Sequence, residues 1–314
     1  MSQINATKKR SHLKKQILDN KILLLFMLPA VVSFAIFCYF PMYGMIIAFQ
    51  EYSPVIGFWK SPFVGFANFR EIFNMPDFTY ALRNTIVINI LKIIFSFTSP
   101  IIFALLLNEI TNMKFKRSIQ TISYLPYFIS WVVASGLWYK LLSIDGGPLN
   151  DLLTALGLVK EPIYFMSSKA LYYPIIIFTD IWKNLGWNSI IYLAALSGID
   201  PEIYESAKVD GAGRFKQMIH ISLPGLKPAI SMLFILTISG LMNSDFDQLY
   251  TMGNAAVREV GDVLDTLILR VLQTGGLTDY SYGAAMGLFK NVIGFGLFFL
   301  ANYIFKKLTD ESIV

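Results

Sequence analysis

Charge is what this sequence has least of. Of its 314 residues only 15% are Asp, Glu, Lys or Arg, while 55% are hydrophobic. Soluble domains carry about 25% charged residues, so the deficit argues against a soluble protein. Cysteine is nearly absent: Cys38 stands alone inside an apolar run. That excludes an intrachain disulfide framework and reads as a small buried apolar side chain. The only histidines, His12 and His220, are far apart and have no cysteine neighbours, which excludes a metal-ligand cluster of the usual spacing. No G-x-x-x-x-G-K-S/T string occurs, so the chain has no phosphate-gripping loop of that kind and is not expected to hydrolyse ATP. Nor is there a nucleophile–base pair or a pair of carboxylates at midplane depth, the minimum for a membrane-embedded enzyme.

What the sequence does have is long apolar runs. Stretches of about 18 apolar residues or more read as membrane spans, and six are predicted: Ile22–Ala48, Thr85–Leu107, Ser118–Tyr139, Leu171–Leu196, Pro228–Ser244 and Tyr282–Phe305. The first is charge-free from Ile22 to Gln50, too long for a cleaved signal peptide, and is read as retained. The expected class is all-α and integral to the membrane. Its expected divisions are a tail 1–21, a first transmembrane helix with outer loop 22–84, a core 85–305 with five transmembrane helices, and a tail 306–314.

The net charge of +5 collects beside the apolar runs and not on a separate basic face, the pattern of topogenic signals and not of nucleic-acid binding. Lys8, Lys9, Arg10, Lys14, Lys15 and Lys21 precede the first run. Lys114, Lys116 and Arg117 follow the second. Lys208, Arg214, Lys216 and Lys227 follow the fourth, and Lys306 and Lys307 the sixth. The alternate loops hold fewer basic residues: Lys60, Arg70, Arg83, Lys160, Lys169, Arg258 and Arg270. Lys and Arg accumulate on the cytoplasmic side, so both termini are expected inside.

The inner segment 198–227 is long and polar, which suggests a docking surface. Asp200 is a good N-cap and Pro201 fits the first helical position; Glu202 complements the helix dipole. A helix is predicted to about Val209, broken by Asp210-Gly211-Ala212-Gly213, where glycine reaches backbone angles closed to other residues. A second short helix is predicted from Arg214 to about Ile219, and Leu223-Pro224 ends the unit before the next span. From pattern alone this is either an amphipathic connector at the membrane surface or a seat for another protein.

The residues themselves resemble the EAA loop of importer permeases of the ATP-binding-cassette (ABC) superfamily. Glu205, Ser206 and Ala207 match that string, with Ser in place of the first Ala; Gly211 stands at its glycine, and Ile221, Leu223 and Pro224 match its ending. Asp210-Gly211-Ala212 matches the fuller form in sugar permeases. Phe63-Val64-Gly65-Phe66-Ala67-Asn68-Phe69, Asn84-Thr85, Leu125-Pro126, Gly147-Pro148-Leu149-Asn150 and Tyr192-Leu193-Ala194-Ala195-Leu196 are similar to strings of the same family. The chain most resembles the lipoprotein-dependent polysaccharide permeases of Gram-positive bacteria.

The resemblance implies a type I ABC importer permease fold in a bacterial cell membrane, with a separate ATPase dimer that holds ATP and Mg. It implies a second, homologous permease subunit, an extracellular solute-binding lipoprotein, and an oligosaccharide or polysaccharide fragment as cargo. Glu205, Ser206, Ala207, Asp210, Gly211, Ala212, Phe215, Leu223 and Pro224 would form the ATPase-coupling surface. For the path, aromatic faces and polar groups suited to sugars nominate Trp131, Trp138, Trp182, Trp187, Asn243, Asp245, Asp247 and Asn291; the tryptophans equally suit interfacial belts. Charges within spans mark pathways, which draws in Lys92, Lys183 and Lys290. Asp180 and Lys183 are spaced to pair within one helix, and Lys290 is open to an anionic sugar, a partner helix or the interface. Rival readings are an importer permease for an amino acid, peptide or phosphate, and a secondary transporter; the latter usually carries an internal repeat, and none is evident.

Overall fold

A computed structural model describes residues 20–274, 276 and 279–309. The basic cluster Lys8–Lys15, His12 and the last five residues lie outside them. Among the described residues every regular element is helical, apart from one isolated antiparallel bridge between Gln50 and Phe63.

In chain order, α1 is Lys21–Phe49 and α2 is Ala67–Asn74. The long α3, Pro76–Asn108, starts nine residues before the predicted second span. Pro76 at its first position and Asp77 in its first turn are the local reason. α4 is Met113–Tyr124, extended by a 3-10 turn over Leu125–Phe128, and α5 is Trp131–Leu141. α6 is Pro148–Ala155 and α7 is Lys169–Ser197. α8 is Pro201–Val209, α9 Arg214–Gly225 and α10 Lys227–Ser239. α11 is Phe246–Met252, α12 Arg258–Gly261, α13 Leu264–Thr274 and α14 Asp279–Thr309.

The six predicted spans do not all appear as single continuous helices. Among the described residues, three helices are long and apolar enough to cross a bilayer: α1, α3 and α14. α9 and α10 qualify together as a pair bent by 57°. α7 has the length, 29 residues, but carries Lys169, Asp180 and Lys183. The predicted third span is broken: Ile129 and Ser130 are extended, and Ser130 caps α5 through its Oγ, 3.3 Å from the Val133 N–H. Pro126, which lacks an N–H, lies just before the break and permits only one tight turn beyond α4. The predicted fifth span ends at Ser239, not Ser244.

α3 and α7 form the spine. The second half of α3 lies along α7 through Ile101, Ala104, Leu105, Tyr192 and Leu196. Its first half packs with α1, α2, α13 and α14 around Ala48, Ile72, Phe78, Leu264 and Met286. A third cluster joins α3, α5, α7 and α11 around Ile88, Trp131, Tyr172, Ile176 and Leu249. α4 crosses α7 at Gly186, where a Cβ would lie 2.2 Å from the Ser123 carbonyl oxygen; small residues at helix contacts are how membrane bundles bring backbones close. Lys21–Phe34 of α1 buries no residue against the rest of the chain.

Candidate functional site: a terminal helical turn and a charge network in the spans

The segment after α7 folds much as its sequence dictates. The Asp200 side chain accepts from the Glu202 N–H at 2.9 Å and starts α8. Gly211 ends it with φ at 79°. The Gly211 N–H bonds the Lys208 carbonyl at 3.0 Å and the Ala212 N–H the Ala207 carbonyl at 2.8 Å. This paired pattern closes a helix when the next residue is left-handed. Gln217 Nε2 donates to the Ala212 carbonyl at 2.6 Å and Tyr204 meets Ser222 at 2.9 Å, tying α8 to α9. Tyr204, Gln217 and Ser222 were not singled out from the sequence; the bonds lie between residues on successive helices. One expectation fails here: the second helix does not stop near Ile219 but runs through Leu223-Pro224 to Gly225, before the bend into the next helix. α9 continues by way of a π-helical stretch, Met218–Ser222, and the chain bends at Leu226. The extra residue in that wide turn leaves room for the proline ring.

Glu205, Ser206, Asp210, Gly211, Phe215, Leu223 and Pro224 are exposed on this unit, and Ala207 and Ala212 are half-buried. Large apolar side chains stand in the open beside them: Val209 is 88% and Phe215 69% exposed. Charged Glu205 and Asp210 flank this apolar tip. Arg214 reaches the Glu109 carbonyl at 3.5 Å, so the α3–α4 turn lies at the same end of the bundle.

Within the spans the structure gathers charges that are far apart in sequence. Lys92, midway along α3, places its ammonium 3.0 Å from Asp180 Oδ1 of α7, 2.7 Å from Gln248 Oε1 of α11 and 4.0 Å from Asp245 Oδ2. Asn184 Nδ2 also donates to Asp180 Oδ1, at 3.1 Å, and Trp131 Nε1 donates to Asp245 Oδ2 at 3.0 Å. Gln248 is fully buried and hands its amide to the Ile176 carbonyl and to Thr179. The pairing of Asp180 with Lys183 expected from their spacing does not form. Asp180 takes Lys92, and Lys183 turns to the break between α4 and α5. Its ammonium donates to the carbonyls of Tyr127, at 2.7 Å, and of Ile129, with Pro126 at 3.4 Å. The rings of Tyr127 and Trp131 lie 5.4 and 5.6 Å from it. A broken helix exposes carbonyls that lipid cannot satisfy, each costing several kcal/mol. One lysine supplies the donors.

Lys290 pairs with Asp265 of α13, whose other oxygen takes the Ser244 N–H. Of the three uses open to Lys290, the structure shows the partner helix. Trp187 stacks on Tyr127 with centroids 4.4 Å apart, and Trp138 meets Trp182 edge-on at 5.4 Å. The nominated path residues therefore separate. Trp131, Asp245 and the Trp187 stack gather around the Lys92 and Lys183 networks, and Asn243 and Asp247 are exposed beside Asp245. Asn291 is exposed on α14, away from that group. The sequence did not single out Gln248, Asp265 or Tyr127; a polar residue near a span is a signal, but its partner is set only by the fold.

The opposite end is rich in loops. Asn84 Nδ2 donates to the Glu259 and Asp262 carbonyls at 3.0 and 2.9 Å, and Leu264 N–H bonds Thr85 Oγ1 at 3.0 Å. Arg270 joins Asp77, at 2.8 Å, and Asp262. Lys169 pairs with Glu259, and by its hydrogen bond and charge holds that carboxyl below its ordinary value.

Residues 96–310 match the family of binding-protein-dependent transport system inner membrane components. The chain belongs to that family: it is the permease subunit of an ABC importer in the cell membrane, is not itself an enzyme, and works with a separate ATPase. It is 44% identical to Protein LplB of Bacillus subtilis, over 94% of this chain and 91% of that protein. It is 41% identical to the polygalacturonan/rhamnogalacturonan transport system permease protein YteP of the same species, over 97% and 94%. Among solved structures it is similar to a chain of a bacterial ABC transporter involved in the import of the acidic polysaccharide alginate. The TM-score is 0.87 and the identity 34%, over 95% of this chain and 99% of that one.

Proposed function

We propose that this chain is one half of the transmembrane path of an importer for oligosaccharides or polysaccharide fragments that bear uronates. The α8–α9 turn is the handle by which the ATPase moves it. That turn and both termini face the cytoplasm, the loop-rich end faces outward toward a solute-binding lipoprotein, and a second homologous permease completes the path. The observation that carries the handle is the exposed apolar tip of Val209 and Phe215 on a doubly bonded turn, flanked by Glu205 and Asp210. A rigid, unpartnered protrusion of this kind suits a cleft in another subunit. The motion it transmits would be a rigid-body change between inward- and outward-facing states. The saccharide and its acidic character are supported by the cargo in the names of YteP and of the alginate transporter.

The test is ATP-dependent uptake in vesicles holding the complete transporter, with uronate oligosaccharides competed against amino acids and peptides. Glu205→Lys and Gly211→Pro are expected to lower uptake by roughly 5- to 150-fold, the range of typical coupling free energies, at unchanged membrane abundance. Gly211→Pro acts because proline cannot take φ at 79°. Unchanged uptake in both variants, or competition by amino acids alone, defeats the reading.

A further inference from the structure

The cations inside the spans are already committed: Lys92 to Asp180 and Gln248, Lys183 to backbone carbonyls, Lys290 to Asp265. None of these three is left over to meet a carboxylate on the cargo. At the loop-rich end the balance differs. Two cavities, of about 210 Å³ and 350 Å³, lie side by side there and share a wall made of Ala255, Arg258 and Asp262. The carboxylates around them are taken. Asp77 and Asp262 are both bound to Arg270, and Glu259 is bound to Lys169. Two guanidinium groups beside these carboxylates are not bound to any of them. Arg83 donates to the Asn84 side chain and to the Glu259 carbonyl, and lies over the Tyr80 ring at 5.5 Å. Arg258 is exposed, and among the described residues its side chain has no ion pair or hydrogen bond. The rest of the lining suits a sugar: Tyr80 and Tyr250, 40% and 51% exposed, offer ring faces, and Gln273 offers an amide, while Asn254 spends its own on the Met166 carbonyl and the Ala256 N–H.

We infer that these joined cavities are a vestibule subsite for a hexuronate unit, with Arg258 gripping its carboxylate and Tyr80 or Tyr250 under a sugar ring. The inference rests on the saccharide reading above and adds where the acidic group is recognised: ahead of the spans, by an arginine, and not among their lysines. An arginine presents two parallel N–H groups to a carboxylate, whereas a lysine presents a point charge. Arg258→Lys should therefore weaken recognition less than Arg258→Gln, but should not leave it intact.

The probe is trigalacturonate, with the same trisaccharide carboxyl-reduced as the neutral control. Binding is measured on the complete transporter in nanodiscs without the solute-binding protein, and uptake in vesicles with it. Arg258→Gln is expected to weaken trigalacturonate binding and to raise its KM about tenfold, the size of one lost charge-assisted contact, with the maximal rate unchanged. Tyr80→Ala and Tyr250→Ala together should weaken the acidic and the neutral trisaccharide alike. The subsite is overturned if trigalacturonate does not bind the wild type, or if Arg258→Gln binds it as the wild type does. It is also overturned if the variant loses affinity for the unliganded solute-binding protein while still binding the trisaccharide, since Arg258 would then be a docking contact. A wild-type transporter that takes up saccharides, with any of those results, refutes the subsite alone. A wild type that takes up no saccharide refutes the function on which it rests.

Discussion

Lys92 holds together three elements through Asp180, Gln248 and, more distantly, Asp245. Its side chain is 14% exposed and that of Asp180 8%, so removing one partner leaves the other charge with little water to replace it. Lys92→Met should destabilise the protein by about 3–5 kcal/mol, the cost of an uncompensated buried charge. Lys92→Met with Asp180→Asn should recover much of that, and melting curves of the purified variants in one detergent would show it. Equal melting of both variants would mean that the packing of the lysine stem matters more than its charge. None of this pairing was legible in the sequence. Lys92 stood out as a charge in an apolar run, but its partner lies 88 residues away. The nearer candidate for Asp180, Lys183, lost to three unsatisfied carbonyls. By contrast Asp200, Pro201 and Gly211 act on their own neighbours, and the residues alone located both ends of α8.

At the scale of elements, the same division holds between local and distant causes. The break after Pro126 was missed because Ser118–Tyr139 carries no charge, and composition cannot tell one helix from two short ones. The early start of α3 was marked by Pro76 and Asp77, but the search for spans put the boundary at the last charge before the apolar run. The crossing of α4 and α7 makes a sharper demand. Gly186 touches the Ser123 backbone, so even one methyl group must push the helices apart. Gly186→Ala should cost about 1–3 kcal/mol, as overpacking does. The neighbouring Trp187–Tyr127 stack should loosen with it, seen as a rise in tryptophan quenching by a water-soluble quencher. An unchanged melting temperature together with unchanged quenching would show that the crossing can give way freely.

At the scale of the whole molecule, both ends and the first half of α1 carry exposed features. At the α8–α9 tip Val209 and Phe215 stand exposed, the loop-rich end has two adjoining cavities and the Arg258 guanidinium, unpaired among the described residues, and Lys21–Phe34 of α1 buries no residue. The helical class and the two short helices after α7 could be read from composition and from short-range signals. The inward geometry of the charges could not, because it arises only when α3, α7 and α11 come together. One consequence follows from the lysine seated in the broken span. Tyr127, Ile129 and Pro126 turn their oxygens toward a single point, as backbone does around sodium or potassium, yet the positive charge there is covalently attached and travels with α7. A tethered charge does not exchange with the medium. Transport should therefore be indifferent to the alkali metal supplied: replacing sodium by potassium or by choline should leave the initial rate of uptake unchanged, and a strict requirement for one of them would show that Lys183 leaves its seat during the cycle.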